Sequence, residues 1–165
     1  MRKYVQNSQQ LTLKIVRPEK EQTEDIWQNG TPLAWLGTVV TLRLDSAVRE
    51  PMLEGDHLYL PLPPAASPRQ VQDIAEAWIR REALRLISDT LEAECARLGC
   101  LPLRASLSFS HHADWSLDDG RGGLRFHWRL AEQSEEIVRQ VVRHAITRWL
   151  AKVSRPTSME LFAAA

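Results

Sequence analysis

Apolar and polar residues alternate along several short stretches, which is the spacing of strands that bury one face. Residues 26–44, in which Val40, Leu42 and Leu44 alternate with polar residues between glycine turns, predict a hairpin or meander. The same spacing predicts further strands at 11–16, 57–60, 105–110 and 124–130. We expect the strand at 105–110 to pair with the strand at 124–130.

Two longer segments have helical spacing. The first begins at Ser67-Pro68-Arg69-Gln70, where Ser can cap, Pro suits the first position and Gln can complete a capping box, and it ends at Gly99. Its Glu94 is predicted to face water, whereas its predicted core side comprises Val71, Ile74, Ala75, Trp78, Leu84, Ile87, Leu91, Cys95 and Leu98. The second helix follows Ser134, and His144 lies at the edge of its apolar stripe.

These elements predict an α+β fold with a small, mostly antiparallel sheet and two main helices. Residues 1–10 are polar and are predicted to be a mobile N-terminal tail, and residues 11–165 a single domain. A chain of 165 residues with 44% hydrophobic residues is long enough to bury a core of its own.

Charge and cysteine content narrow the classes of function. Lys plus Arg and Asp plus Glu number 21 each, so net charge favours neither nucleic acid nor anionic lipid as a partner. No run approaches the ~18 apolar residues of a membrane span, and a cytoplasmic location is expected. Cys95 and Cys100 lack a C-x-x-C spacing, which indicates buried or free thiols instead of a disulfide or zinc knuckle.

The order of short motifs resembles one known family. From Trp115 to Leu130 the chain reads W…DG…G-L-R-F-x-W-R-L, and E-x-I-V-x-x-V-V-x-H follows, ending at His144. Upstream, the residues from Trp27 to Gly37 read W-Q-x-G-T-P-L-A-W-L-G. Together these motifs resemble the YgjP-like zinc metallopeptidases, a family related to the WLM and SprT peptidases.

The resemblance implies a zinc helix with the motif H-E-x-x-H, in which two histidines bind zinc and the glutamate is the general base. This chain reads His144-Ala145-Ile146-Thr147-Arg148 at that point. Ala145 cannot move a proton, and Arg148 is a permanent cation that repels a divalent metal. The family's third ligand follows the helix, where this chain has no histidine and one carboxylate, Glu160, as a possible oxygen ligand. The first hypothesis is therefore a catalytically inactive metallopeptidase-like protein with no expected cofactor. Such a protein could bind peptides, a partner protein or nothing specific.

A second hypothesis keeps hydrolysis and rebuilds the metal site. His144 would then be joined by His127 from the preceding strand, by His111 or His112, and by a carboxylate such as Asp114 or Glu160. Zinc would be the expected cofactor in that case. Against it, adjacent histidines on an extended segment point to opposite sides, so that both rarely bind one ion.

A third hypothesis is a nucleic-acid or protein-binding module. Arg125 and Arg129 share the polar side of the strand with His127, and Arg143 follows on the helix. These three arginines, called here the arginine patch, could contact phosphates. The competing interpretation is a solvated surface on which arginines pair with Glu132, Glu135 and Glu136. Nucleic acid stays open as a partner, and no membrane partner is expected.

Overall fold

The computed structural model describes residues 27–110 and 114–154, which form seven strands, one 3₁₀ helix and two α-helices. The helices are α1 (Pro68–Leu98), the 3₁₀ helix (Trp128–Glu132) and α2 (Glu135–Val153). The strands are β1 (Pro32–Trp35), β2 (Thr38–Leu44), β3 (Met52–Glu54), β4 (His57–Leu60), β5 (Arg104–Ser108), β6 (Ser116–Asp118) and β7 (Gly123–His127). The predicted α+β class is confirmed. The predicted tail at 1–10 and the predicted strand at 11–16 lie outside the described residues.

The strands form two small mixed sheets. Sheet one has the order β1-β2-β4-β3, with β2 and β4 parallel, and sheet two has the order β5-β7-β6, with β5 and β7 parallel. The other three pairings among the described strands are antiparallel. The predicted hairpin at 26–44 is confirmed as β1 and β2, and the expected pairing of the strand near 105–110 with the strand near 124–130 is confirmed as β5 with β7.

The tip of the β1–β2 hairpin is hydrogen-bonded to the 3₁₀ helix. Leu36 and Gly37 both have positive φ angles, 48° and 76°, as a two-residue type I′ turn requires. Their backbone N–H groups point away from the hairpin and donate to the carbonyls of Ala131 at 2.8 Å and Glu132 at 3.0 Å. A Cβ on Gly37 would lie 3.1 Å from the Cα of Ser134, so only glycine fits this close approach without a shift.

Helix α1 has the ends that the sequence predicts. The Ser67 hydroxyl accepts from the Gln70 N–H, the Gln70 side chain accepts from the Ser67 N–H, and Gly99 ends the helix in the left-handed conformation. Three side chains differ from the prediction. Leu84 and Leu98 were expected in the core but are 39% and 37% exposed, whereas Glu94, expected in water, is 5% exposed.

Two apolar clusters share α1. The first half of the helix packs Val71, Ala75 and Ala83 against sheet one, and the second half packs against sheet two and α2. The fully buried residues of the second cluster include Ile87, Leu91, Phe126, Leu130, Val138, Val142 and Ile146. Helix α2 therefore rests on both α1 and sheet two. No helix in the described ranges combines the length and the apolar character needed to cross a bilayer.

Strand β7 is shorter than predicted. The alternation through Leu130 suggested a strand to that residue, but the chain turns into the 3₁₀ helix after His127. The cause is local, because His127 Nδ1 accepts a hydrogen bond from the Arg129 N–H and so caps the 3₁₀ helix. Leu130 is still fully buried, since a 3₁₀ helix returns it to the same core.

Candidate functional site

The segment that resembles the zinc motif lies in the middle of α2. His144 is exposed, Ala145 is 2% exposed, and Arg148 lies one turn after His144 at the surface. Positions 144 and 148 share a helix face because they are four residues apart. This is the arrangement in which two histidines could bind one ion, but here one position is a cation.

A cleft separates α2 from β6, the edge strand of sheet two. It measures about 80 Å³, and the residues that line it are Ser116, Leu117, Asp118, Leu124, Ala145, Arg148, Trp149 and Lys152. The positions of the missing base and of the missing second histidine thus face one small cavity. The sequence alone could not place β6 beside them, because Ser116–Asp118 is too short to give an alternating pattern.

Two cationic side chains bridge this cleft. Arg148 Nη2 donates to the backbone carbonyl of Ser116 at 3.4 Å, and Lys152 Nζ lies 2.7 Å from Asp118 Oδ2. The hydrogen bonds from Lys152 and from the Gly120 N–H lower the pKa of Asp118 from its ordinary value. Asp118 is therefore ionised at neutral pH, and it already forms an ion pair with Lys152.

His127 is held by the backbone through both ring nitrogens. Its Nε2 lies 2.9 Å from the Ser110 carbonyl, and its Nδ1 accepts from the Arg129 N–H at 3.2 Å. The carbonyl requires a donor, so these contacts assign the proton to Nε2. Binding a metal would require His127 to give up one of these two hydrogen bonds.

The remaining donors proposed for a rebuilt metal site do not form a cluster with His144 in the described part of the chain. No group of three His, Cys, Asp or Glu side chains is placed there so that it could hold a metal ion. Asp114 is exposed, before β6. His111, His112 and Glu160 lie outside the described residues.

The arginine patch is distributed over three elements. Arg125 is exposed on β7, and Arg129, on the 3₁₀ helix, lies 3.6 Å from Glu132 and stacks over the Trp128 ring at 5.5 Å. Arg143 instead contacts α1, where its Nε donates to Glu94 at 3.0 Å. Two of the three arginines therefore already have carboxylate partners.

Glu94 is the residue that sequence reasoning missed. It accepts hydrogen bonds from Arg143 on α2 and from Arg97 on its own helix, at 3.0 Å and 2.9 Å. The Arg143 hydrogen bond and, less strongly, the Arg97 hydrogen bond hold the pKa of Glu94 below its ordinary value, although burial opposes them. The only available signal was a second helix rich in arginine, which could supply a partner for a buried carboxylate.

Comparison with known protein families identifies one match. The model of the YgjP-like metallopeptidase domain matches residues 2–147, most of the chain. The match includes the part of the cleft lining from Ser116 to Ala145, whereas Arg148, Trp149 and Lys152 lie after its last matched residue. No curated protein and no solved structure matches the chain. Zinc is the metal that this family implies. His144 is the one donor side chain at positions 144, 145 and 148, so these residues do not fit a zinc site.

Proposed function

The chain belongs to the YgjP-like metallopeptidase family, and from this premise we propose that it is a non-catalytic member that binds a peptide segment in the cleft between β6 and α2. The observation that carries the proposal is the pair Ala145 and Arg148. Both line the cleft where the family's base and second histidine would stand. The protein would thus have lost hydrolysis and kept peptide binding.

The first reason to expect no hydrolysis is the residue at position 145. Hydrolysis by a metal-bound water requires a nearby group that accepts the proton of that water. The Ala145 methyl group cannot accept a proton, and the carboxylate that does line the cleft, Asp118, is paired with Lys152. An ion-paired carboxylate with a lowered pKa is a poor base.

Position 148 supports the same conclusion. A zinc site in a hydrolase has about three protein ligands and an open position for water. Arg148 has no lone pair to offer, and its charge opposes the approach of a divalent cation. Its hydrogen bond to the Ser116 carbonyl also holds the guanidinium across the cleft.

The same arginine suits the binding of a peptide that carries a carboxylate. A guanidinium has five N–H donors, and only one of those of Arg148 has a partner among the described residues. Lys152 and Asp118 offset each other, so Arg148 leaves the cleft with an excess positive charge. Leu117, which is 40% exposed, and Trp149 add apolar surface beside it. An acidic peptide with a neighbouring apolar side chain matches this combination.

Hydrolysis tests the first part of the proposal. Purified full-length protein is incubated with zinc and a fluorogenic casein substrate, beside the His144→Ala variant. We expect no turnover above the no-enzyme control for either protein. Turnover by the unmodified chain that is lost in His144→Ala would overturn the proposal, because it would require a working metal site at His144.

Binding tests the second part. The probe is a fluorescein-labelled pool of acidic casein peptides, and its polarisation is measured against protein concentration. Arg148→Ala should weaken binding about tenfold, since a charge-assisted bidentate contact is lost. Arg139→Ala is the matched control, because Arg139 is also an exposed arginine of α2 but pairs with Glu136 away from the cleft lining. Equal affinities for all three proteins, or no saturable binding, would overturn the cleft as the binding site.

A further inference from the structure

Two cysteines meet at the end of α1, away from the cleft. Cys95 lies in the last turn of the helix, and Cys100 is the second residue after the helix ends. Cys95 is 1% exposed within the second apolar cluster, and Cys100 is half-buried beside it. Both are free thiols in this structure.

The capping motif of α1 brings the two thiols together. Gly99 adopts the left-handed conformation with φ 67°, which turns the chain back over the last helical turn. The Cys100 N–H then donates to the Cys95 carbonyl at 3.0 Å, and the Gly99 N–H donates to Ala96 at 3.2 Å. These bonds define a Schellman motif, which is frequently accompanied by a contact between the side chains at the positions that Cys95 and Cys100 occupy. Consistent with this, Cys100 packs against the apolar cluster that contains Cys95.

The surroundings distinguish the roles of the two sulfurs. Burial and the hydrogen bond with Cys100 raise the pKa of Cys95 to about 11, so this thiol is protonated at neutral pH. Cys100 is the more exposed of the pair and is the one that a dissolved oxidant reaches first. A solvent-accessible thiol beside a buried thiol that can resolve it is the arrangement of a reversible oxidation site.

We propose that Cys95 and Cys100 form a reversible intramolecular disulfide when the protein meets a peroxide. The Cys100 thiolate attacks one peroxide oxygen, the O–O bond breaks, and Cys100 becomes a sulfenic acid while hydroxide leaves and takes up a proton. The Cys95 sulfur then attacks the Cys100 sulfur, the S–O bond breaks, and the leaving oxygen takes the Cys95 proton to form water. One peroxide is reduced and two thiols are oxidised, with two waters released. A dithiol reductant reverses the reaction by exchange.

This chemistry modifies the end of α1 without involving the cleft. The new bond would close a ring across Gly99 and fix the turn that the backbone hydrogen bonds already define. Because the ring is short and the capping turn already brings Cys100 back over Cys95, we expect the fold to be retained on oxidation. The far-ultraviolet circular dichroism spectra of the two forms should therefore coincide.

Peptide mapping gives a direct test, because Arg97 lies between the two cysteines. Full-length protein is treated with hydrogen peroxide, blocked with iodoacetamide and digested with trypsin without reduction. We expect peptides 86–97 and 98–104 to appear as one disulfide-linked species, and as two separate alkylated peptides after dithiothreitol treatment. The Cys100→Ser variant should leave Cys95 alkylatable after the same peroxide treatment. Cys95→Ser should instead accumulate a sulfenic acid at Cys100 that dimedone labels.

Two results would overturn the proposal. One is oxidation of Cys100 to sulfinic acid in the unmodified protein while Cys95 stays alkylatable, which would mean that Cys95 does not resolve the sulfenic acid. The other is a linked species found only in covalent dimers, which would mean that the thiols of one chain cannot reach each other.

Discussion

The two sides of α2 differ in what holds them. On the side that packs against α1 in the second apolar cluster, Val138, Val142 and Ile146 are at most 1% exposed, and Arg143 donates to the buried Glu94. On the side facing β6, the contacts are Arg148 with the Ser116 carbonyl and Lys152 with Asp118, across a cleft. The first side anchors the helix, and the second positions side chains at a cavity. A helix anchored in this way can keep its place whatever chemistry its cleft side carries.

The largest loss of stability should come from the side of α2 that is buried in the second apolar cluster. Ile146→Ala removes a fully buried side chain from the second cluster and should lower the free energy of unfolding by about 3 kcal/mol. Val153→Ala, at a position of the same helix that is 61% exposed, should change it by less than about 0.5 kcal/mol. Urea denaturation of both variants measures the contrast. Similar losses would mean that burial of a side chain of α2 does not decide how much it stabilises the fold.

The buried carboxylate should give the next largest effect. Glu94→Gln keeps the shape but removes the charge between two arginines, and should lower the free energy of unfolding by about 2 kcal/mol at neutral pH. Because the folded protein lowers the pKa of Glu94, its contribution is fully present above the unfolded value near 4.5 and is lost as the pH falls through the lowered folded value. The difference between the two proteins, followed by urea denaturation, should shrink below that pH. A difference that stays constant down to strongly acidic pH would contradict this role.

The hairpin tip should make a smaller contribution to stability, through its close approach to Ser134. Gly37→Ala forces a side chain into a left-handed conformation and against the Ser134 backbone. Gly55→Ala imposes a similar conformational strain, at φ 59°, but its Cβ would meet nothing within 4 Å. We therefore expect Gly37→Ala to lower the free energy of unfolding by about 1 kcal/mol more than Gly55→Ala does. Equal losses in thermal denaturation would show that the contact with Ser134 adds nothing.

The smallest loss of stability should come from the side of α2 that lines the cleft. Arg148→Ala breaks one long hydrogen bond at the surface and should change the free energy of unfolding by less than about 0.5 kcal/mol. Chemical denaturation beside the unmodified protein measures this. A loss comparable to that of Ile146→Ala would mean that Arg148 anchors the helix and is not available for a ligand.

Local signals explain what the sequence could predict. The capping box at Ser67, the left-handed Gly99 and the turn at Leu36-Gly37 act within a few residues, so the pattern alone located α1 and the first hairpin. The end of β7 was missed because the cap by His127 competes with the strand alternation and is equally local. Glu94 was missed because its partner lies 49 residues away on another helix. Burial of a charge depends on such distant pairs, which periodicity does not show.

The candidate site could also be predicted only in part. The motif order identified the helix segment from His144 to Arg148, and the family match includes most of it. The sequence did not indicate that β6 would lie opposite this segment, or that Lys152 and Asp118 would pair beside it. These facts depend on how sheet two docks on α2, which is a property of the assembled core. The tail at 1–10, the single domain at 11–165 and the cytoplasmic location stay predictions.

A zinc titration tests the central claim most directly. Metal-free full-length protein is titrated with zinc by calorimetry and then analysed for retained metal after gel filtration, with His144→Ala as the control. We expect both proteins to give the same weak heats and to retain no stoichiometric zinc. One tightly held zinc per chain, lost in His144→Ala, would contradict it.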